Sequence, residues 1–175
     1  MQRYKILTAL AAAAALFVSS AAFAATPKIG VIDVSYIISH SKRGQAASDA
    51  LKALYNKKKE SLDKEKASLA ATQQDLKDVK DKESDAFRKQ VSEFQQSASA
   101  FQQHLQESQN EVEQRRAELF KPIIEDMKKV VDTYAKDHDY TLILNQTTDA
   151  VAFAVDTYNL NDEIVAALDK YEGGK

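Results

Sequence analysis

The sequence predicts an α+β fold in which a long antiparallel α-helical hairpin projects from a small β-containing body. Residues 45–121 contain neither glycine nor proline and are rich in Ala, Gln, Glu, Lys and Leu, which are strong helix formers. Short β-rich segments flank this stretch on both sides. Long helices with a narrow apolar stripe build rods and clamps more readily than the enclosed pocket that catalysis requires.

The first 24 residues have the pattern of a secretory signal peptide. Arg3 and Lys5 precede the apolar run 6–18, and Ala22-Phe23-Ala24 fits a cleavage site made of small residues. An N-terminal membrane anchor is the alternative, but the run is shorter than the ~20 apolar residues that span a bilayer. We expect cleavage after Ala24 and an exported mature chain.

The composition restricts what the exported chain can be. It has no cysteine, which excludes disulfides and thiolate zinc sites. The formal net charge is −2, and removal of residues 1–24, which contain two basic residues and no acidic one, leaves −4. The run Lys57-Lys58-Lys59 is typical of a solvated helix. A transient contact with a membrane surface would rest on this run alone, and no nucleic-acid partner is expected.

Apolar residues in the second half of the long stretch follow a heptad pattern. Their spacings alternate between four and three, and Ser108 and Arg115 fill the remaining positions. This pattern predicts a coiled-coil stripe. Its apolar members are Phe87, Val91, Phe94, Ala98, Phe101, Leu105, Val112 and Leu119.

The first half carries a heptad stripe that is only half apolar. Lys58, Glu65 and Thr72 occupy alternate positions, where a rigid coiled coil places leucine. We therefore expect the helical arms to be mobile. The apolar members of this stripe are Leu51, Tyr55, Leu62, Leu69, Leu76 and Val79.

The two stripes are out of phase by one residue, which rotates them by about 100° on a helix. A chain reversal within the polar segment 80–85 explains this shift and predicts two antiparallel helices, each roughly 55 to 60 Å long. One uninterrupted helix with a stutter is the alternative. Pro122 falls where the second helix should enter the body, and we expect a bend there.

The body is expected to form from the segments on either side of the helices. Residues 28–34 predict a strand, and residues 140–145 and 150–155 predict a β-hairpin around the polar turn 146–149. A final helix should run from about Leu160 to Tyr171, capped by Asn159 or Asn161.

These elements divide the chain into a signal peptide (1–24), an N-terminal strand segment of the body (25–44), a helical hairpin arm (45–135), and a β-hairpin with a C-terminal helix (136–175). Val151, Phe153 and Val155 alternate with alanines, so both faces of their strand are expected to be buried. So small a body without disulfides or metal rarely buries enough apolar surface by itself. We therefore expect sheets from several subunits to merge.

The order of these features resembles the Skp/OmpH family over essentially the whole mature chain. The most similar pieces are Lys28-Ile-Gly-Val-Ile-Asp-Val34 and the segment from Tyr140-Thr-Leu-Ile-Leu-Asn145 to Leu168. The resemblance implies a homotrimeric periplasmic holdase, in which a small β-barrel body formed by trimerisation carries three coiled-coil tentacles. These would surround a cavity that receives unfolded outer-membrane proteins without ATP. Members of the family are often strongly basic, whereas this mature chain is acidic, so no lipopolysaccharide-binding residues are carried over.

A holdase needs apolar contacts that are weak, numerous and accessible to water. We expect the first helix of the arm, whose stripe is half polar, to cover the apolar stripe of the second helix incompletely. This leaves apolar surface for clients. The alternative is that these residues only hold the hairpin together. The candidate client-contact residues are Phe87, Val91, Phe94, Phe101, Leu105, Leu62, Leu69 and Leu76.

No enzymatic function, cofactor or metal site is expected. Of the three histidines, only His138 lies in a local cluster with acidic residues, Asp137-His138-Asp139, which lacks a fourth ligand and is better explained as a polar loop. No glycine-rich phosphate loop is present, which excludes an ATP-driven chaperone. The competing function is a periplasmic coiled-coil adaptor of an export or envelope complex, although such adaptors usually carry larger β domains.

Overall fold

The computed structural model describes residues 26–147 and 151–173, and the predicted signal peptide lies outside them. Two long helices and a small two-stranded sheet confirm the predicted α+β class. The elements in chain order are β1 (Ile29–Ile32), α1 (Val34–His40), α2 (Lys42–Asp78), α3 (Asp85–Asp137), β2 (Leu142–Asn145), a 3-10 turn (Asp156–Tyr158) and α4 (Asn161–Lys170).

Helices α2 and α3 form the predicted antiparallel hairpin. The chain reverses between Asp78 and Asp85, so the alternative of one uninterrupted helix is wrong. Ser84 begins α3 as its N-cap, and its hydroxyl accepts a hydrogen bond from the Phe87 backbone N–H at 3.2 Å. The reversal therefore needs no glycine, because extended backbone at Val79 ends α2 and a serine cap starts α3.

The two helices differ in length because only α3 continues deep into the body. Helix α2 has 37 residues and α3 has 53, which correspond to about 55 Å and 80 Å at ~1.5 Å per residue. Helix α3 runs through Pro122 without interruption. The hairpin arm thus consists of α2 packed against the first two-thirds or so of α3.

The core of the body lies where the last part of α3 meets α1 and α4. Ile37 of α1 and Ile164 and Leu168 of α4 are completely buried. Ile123, Met127 and Val130 of α3, together with Leu160, are also buried and belong to the same apolar cluster. Burial of each such side chain stabilises the fold by about 1.5–3 kcal/mol. This cluster fixes the root of the arm.

Two glycines permit close packing near this core. A Cβ atom on Gly44 would lie 1.7 Å from the backbone oxygen of Ile38, so only glycine allows α2 to start so close to α1. A Cβ atom on Gly30 would lie 2.3 Å from Cδ1 of Leu160, so β1 can approach the start of α4. The first contact packs α1 against α2, and the second joins β1 to the C-terminal part of the body.

The sheet consists of β1 and β2 in parallel, with Ile29 opposite Leu142 and Ile32 opposite Asn145. The whole helical hairpin forms the connection between these two strands. On its other edge, β1 makes a single parallel bridge from Val31 to Asn159. The sheet therefore joins the part of the body that precedes the arm in the sequence to the part that follows it.

The predicted β-hairpin is not formed by the residues that the structure describes. Residues 151–155 are not a strand, and residues 148–150 of the expected turn lie outside the described ranges. The expectation that both faces of this segment are buried is also wrong for a single chain, since Phe153 is 82% exposed and Val155 is 45% exposed. Strand β2 pairs with β1 along one edge, and residues 151–155 form no ladder with its other edge in the described chain.

The predicted C-terminal helix is present as α4 and begins within one residue of the expected position. The Asn159 side chain accepts a hydrogen bond from the Asn161 backbone N–H at 2.8 Å. Asn161 in turn accepts a hydrogen bond from the Asp33 backbone N–H at 2.6 Å through its side-chain oxygen. The predicted cap is wrong, because Leu160 holds the N-cap position and no side chain caps the helix. Asn159 instead accepts from the first helical N–H, and Asn161 ties the helix start to the end of β1.

Candidate functional site on the helical arms

The predicted apolar stripe of α3 faces α2, and its members are partly buried. Ser108 is also partly buried, whereas Arg115 is exposed, as suits a charged residue in this row. Most positions between the stripe residues are exposed. Nothing in this part of α3 reaches the complete burial of the body core. The partly buried apolar members are Phe87, Val91, Phe94, Ala98, Phe101, Leu105, Val112 and Leu119.

The stripe of α2 differs from the prediction at one apolar position. Tyr55 is 55% exposed, and Leu54 takes its place between Leu51 and Lys58 on the inward side of the helix. Spacings of three then four satisfy the heptad pattern as well as four then three, so Leu54 could have been found from the same periodicity. Thr72 is exposed rather than inward.

Polar residues in the α2 stripe pair with partners on α3. The Lys58 ammonium lies 2.5 Å from the Glu111 carboxylate, and the Glu65 carboxylate lies 2.9 Å from Nδ1 of His104. Arg43, which lies near the start of α2 and outside the stripe, forms a third pair with α3, to Asp126 at 2.8 Å. The polar positions thus help to align the two helices instead of only weakening their contact.

The three pairs share one antiparallel register. From the Arg43 pair to the Lys58 pair, the position on α2 rises by as many residues as the position on α3 falls, and the same holds from the Lys58 pair to the Glu65 pair. Arg43 holds the pKa of the Asp126 carboxyl below its ordinary value, mainly through their hydrogen bond, and Lys129 adds to this effect. The ion pairs therefore report the register from the root of the arm to its middle.

Two open grooves run along opposite flanks of the hairpin. On α2, Lys66 follows Leu62 by four residues and Glu65 follows it by three, which places them about 40° and 60° to either side of Leu62. Lys66 lines one groove of about 760 Å³, and Glu65 lines the other, of about 600 Å³. We call the first the lysine-rimmed groove and the second, which reaches Val79, the tip groove.

The structure distributes the candidate contact residues over both grooves rather than gathering them at one site. Leu62 and Leu105 line the lysine-rimmed groove. Phe101 lines both grooves. Phe87 and Val91 lie further toward the tip and line neither of these two grooves. The residues of the tip groove are Leu69, Leu76 and Phe94. All eight candidates are partly buried, so each leaves some apolar surface in contact with solvent.

The body carries a second apolar surface. Leu142 of β2 and the side chains of Phe153, Val155 and Tyr158 are exposed. An open depression of about 560 Å³ next to β2 is lined by Ile124, Val131, Leu142 and Ile143, among others. Leu142 lies on β2, whose second edge pairs with no strand of the described chain, whereas Tyr158 precedes the Asn159 bridge on the β1 side of the sheet.

The segment Asp137-His138-Asp139 ends helix α3. The His138 ring packs on Tyr134 at 4.1 Å between centroids, and Asp139 has a φ of 58°, a conformation that aspartate adopts more readily than most residues.

Within residues 26–147 and 151–173, no group of three or more His, Asp or Glu residues is placed to hold a metal ion. In the same ranges, no helix is long and apolar enough to cross a membrane.

The fold and these surfaces define a class of protein in which a helical arm with open apolar grooves projects from a small β-containing body. The family model for OmpH-like outer membrane proteins matches residues 28–168. The chain therefore belongs to the OmpH-like family, as its sequence resemblance predicts.

A solved structure supports the same fold. The chain is similar to an OmpH-like candidate outer membrane chaperone from Caulobacter crescentus CB15, with a TM-score of 0.70 and 22% sequence identity. The match covers 83% of this chain and 85% of that one. Comparison with curated protein sequences finds no significant match.

Proposed function

We propose that this protein is an ATP-independent periplasmic holdase that binds unfolded outer-membrane proteins and prevents their aggregation. The observation that carries the proposal is that all eight candidate contact residues are partly buried instead of enclosed in a core, and that six of them line open grooves. The family to which the chain belongs and the description of the Caulobacter protein support a chaperone role.

The energetics of the grooves suit holding without folding. Complete burial of a large apolar side chain contributes about 1.5–3 kcal/mol, but a half-covered side chain can contribute only part of that to a client. Several weak contacts along an arm can still hold a long unfolded chain, because each contact raises the effective concentration of the next. Weak individual contacts also allow release without ATP hydrolysis.

Assembly into a homotrimer completes the proposal. The exposed Leu142, Phe153, Val155 and Tyr158 provide apolar surface that another subunit can cover, and the free edge of β2 can pair with its strand. Merged sheets would form a small β-barrel, and residues 151–155, which belong to no strand of the described chain, could then pair with a strand of another subunit. Three arms would project from this barrel around a cavity.

The pattern of residues 1–24 supports export to the periplasm, and a chain without cysteine tolerates an oxidising compartment. No cofactor takes part in the proposed activity. The partners are unfolded outer-membrane proteins and further copies of this chain.

The test is light scattering after dilution of a urea-unfolded outer-membrane β-barrel into buffer that contains the mature protein and no ATP. We expect suppression of aggregation by this protein but not by an equal concentration of an unrelated acidic coiled coil. Equal aggregation in both samples would overturn the proposal. A single stable folded partner, instead of many unfolded ones, would favour the coiled-coil adaptor.

A double variant separates client contact from hairpin stability. Phe94→Ser with Phe101→Ser should lower aggregation suppression at a protein concentration where helicity by circular dichroism is retained. Gln95→Ser with Gln102→Ser, at exposed positions next to these residues, is the matched control and should behave like the wild type. Loss of helicity without selective loss of suppression would show that the phenylalanines only hold the hairpin together.

A further inference from the structure

The two grooves of the arm differ in the sign of the charge at their edges. The lysine-rimmed groove is bordered by Lys58, Lys59 and Lys66 together with Asp63 and Glu113. The tip groove on the opposite flank is bordered by Glu65, Asp75 and Glu93, with His104 as its single basic residue. Client segments that contact the two flanks therefore meet different electrostatic environments.

Most of the charges in the lysine-rimmed groove are already neutralised. Lys58 pairs with Glu111, and Lys59 pairs with Asp63 at 2.6 Å. The remaining acidic group, Glu113, lies 3.7 Å from the Arg116 guanidinium. Lys66 has no ion-pair partner anywhere in the described ranges of the chain. The net charge that this groove offers to a ligand is therefore the ammonium group of Lys66.

Apolar side chains line the same groove as this ammonium group. Leu62, one helical turn from Lys66, and Phe101 and Leu105 on the facing helix are partly buried and line the groove. Tyr55 adds an exposed aromatic ring to the same groove. A ligand that fits must therefore present apolar side chains for the groove and an anion for Lys66.

The tip groove provides the opposite case. Glu65 is paired with His104, and Glu93 lies 3.8 Å from Lys89. Asp75 has no ion-pair partner among the residues that the structure describes. The unneutralised group there is thus a carboxylate, which repels the same anionic ligand.

We propose that the lysine-rimmed groove binds those client segments in which an acidic side chain stands next to apolar or aromatic ones. This inference rests on the proposed holdase function and names the class of client segment for one flank of the arm. It gives an acidic chaperone a local means of recognising acidic clients, because the selecting charge is a single unpaired lysine and not the net charge of the chain.

The test uses two fluorescein-labelled peptides of about ten residues with the alternating apolar and polar pattern of a β-barrel strand. They are identical except that one carries Glu at its centre and the other Gln. Fluorescence anisotropy at low salt should show that the trimeric or otherwise assembled full-length mature protein binds the Glu peptide about two- to fivefold more tightly. The preference should shrink at ~1 M salt, where the Debye length falls to about 3 Å.

The decisive variant is Lys66→Gln, which removes the charge without changing helix propensity much. It should bind both peptides equally and should bind the Gln peptide as the wild type does. Lys57→Gln is the matched control, because Lys57 is exposed on the same helix, lines neither groove and changes the net charge equally. This control should retain the preference for the Glu peptide.

The outcomes separate this inference from the proposed function. Wild-type protein that fails to suppress aggregation of a full-length β-barrel contradicts the holdase itself. Protein that suppresses aggregation but binds both peptides equally overturns the inference alone, as does an equal loss of preference in Lys57→Gln and Lys66→Gln.

Discussion

Glu65 and His104, 39 residues apart in the sequence, face each other across the arm with His104 Nδ1 2.9 Å from the Glu65 carboxylate. The contact joins α2 to α3 near the middle of the hairpin, at a stripe position where a rigid coiled coil would carry leucine. The hydrogen bond to Glu65 raises the pKa of His104, and the charges of Glu65 and, to a smaller extent, Glu107 act in the same direction. Because of this polar pair, the contact between α2 and α3 depends on pH.

We expect the helical hairpin to be more stable under mildly acidic conditions than at alkaline pH. Because the pKa of His104 in the folded chain is above its ordinary value of 6.5, this contact stabilises the hairpin fully below that value. The stabilisation is lost as the pH rises through the raised pKa. NMR titration of the His104 ring should show a lower pKa in the Glu65→Gln variant than in the wild type.

The matched control for this titration is Glu107→Gln, which removes the weaker of the two neighbouring charges. It should lower the pKa of His104 less than Glu65→Gln does. An unchanged His104 pKa in Glu65→Gln would show that the two side chains do not interact in solution.

The register of the arm can be tested at Lys58 and Glu111. Lys58→Glu places two carboxylates opposite each other and should lower the free energy of unfolding, whereas adding Glu111→Lys should restore much of it. The coupling expected for a partly exposed pair is about 0.2–1 kcal/mol, measured by a double-mutant cycle in urea. Additive effects of the two substitutions would place these residues apart and contradict the register.

The sequence predicted the hairpin because its signals are local. Heptad spacing and the polar segment 80–85 are properties of neighbouring residues, and the observed reversal between Asp78 and Asp85 follows from them. The choice between Leu54 and Tyr55 was not determined locally, since both fit a heptad pattern. It depends on how α2 packs against α3, and that packing turns Leu54 inward.

The body was harder to predict because its contacts are between distant segments. The apolar alternation around Phe153 indicates a strand that is buried on both faces, but strand formation requires a partner, and within the described residues this segment pairs with none. Likewise, the division of the candidate contact residues between two grooves depends on which flank of the hairpin each occupies. Neither feature follows from periodicity alone.

Packing at the root of the arm predicts an unusual response at Gly44. Replacing glycine by alanine inside a helix normally stabilises it by up to about 1 kcal/mol. Gly44→Ala should instead destabilise the protein, because the new Cβ atom would clash with the Ile38 carbonyl oxygen. Urea denaturation followed by circular dichroism measures the change.

Ala46→Gly supplies the comparison for Gly44, since Ala46 is exposed two residues further along α2. It should cost about 0.5–1 kcal/mol, the ordinary effect of glycine in a helix. If Gly44→Ala raises the free energy of unfolding, α1 and α2 are not packed as closely as the structure indicates.

The exposed ring of Phe153 allows a test of the proposed assembly. Phe153→Ser should change the fold of one chain little, because the side chain is 82% exposed and contributes little buried area there. If other subunits cover this ring, the same substitution should weaken association, and sedimentation velocity should show a shift toward lower mass at a given protein concentration. Tyr55→Ser, which removes an exposed ring from the arm instead of the body, should leave the mass unchanged. A Phe153→Ser variant that sediments like the wild type over the whole concentration range would show that Phe153 does not lie in the assembly surface. The edge of β2 that is unpaired in the described chain would then be the next region to substitute.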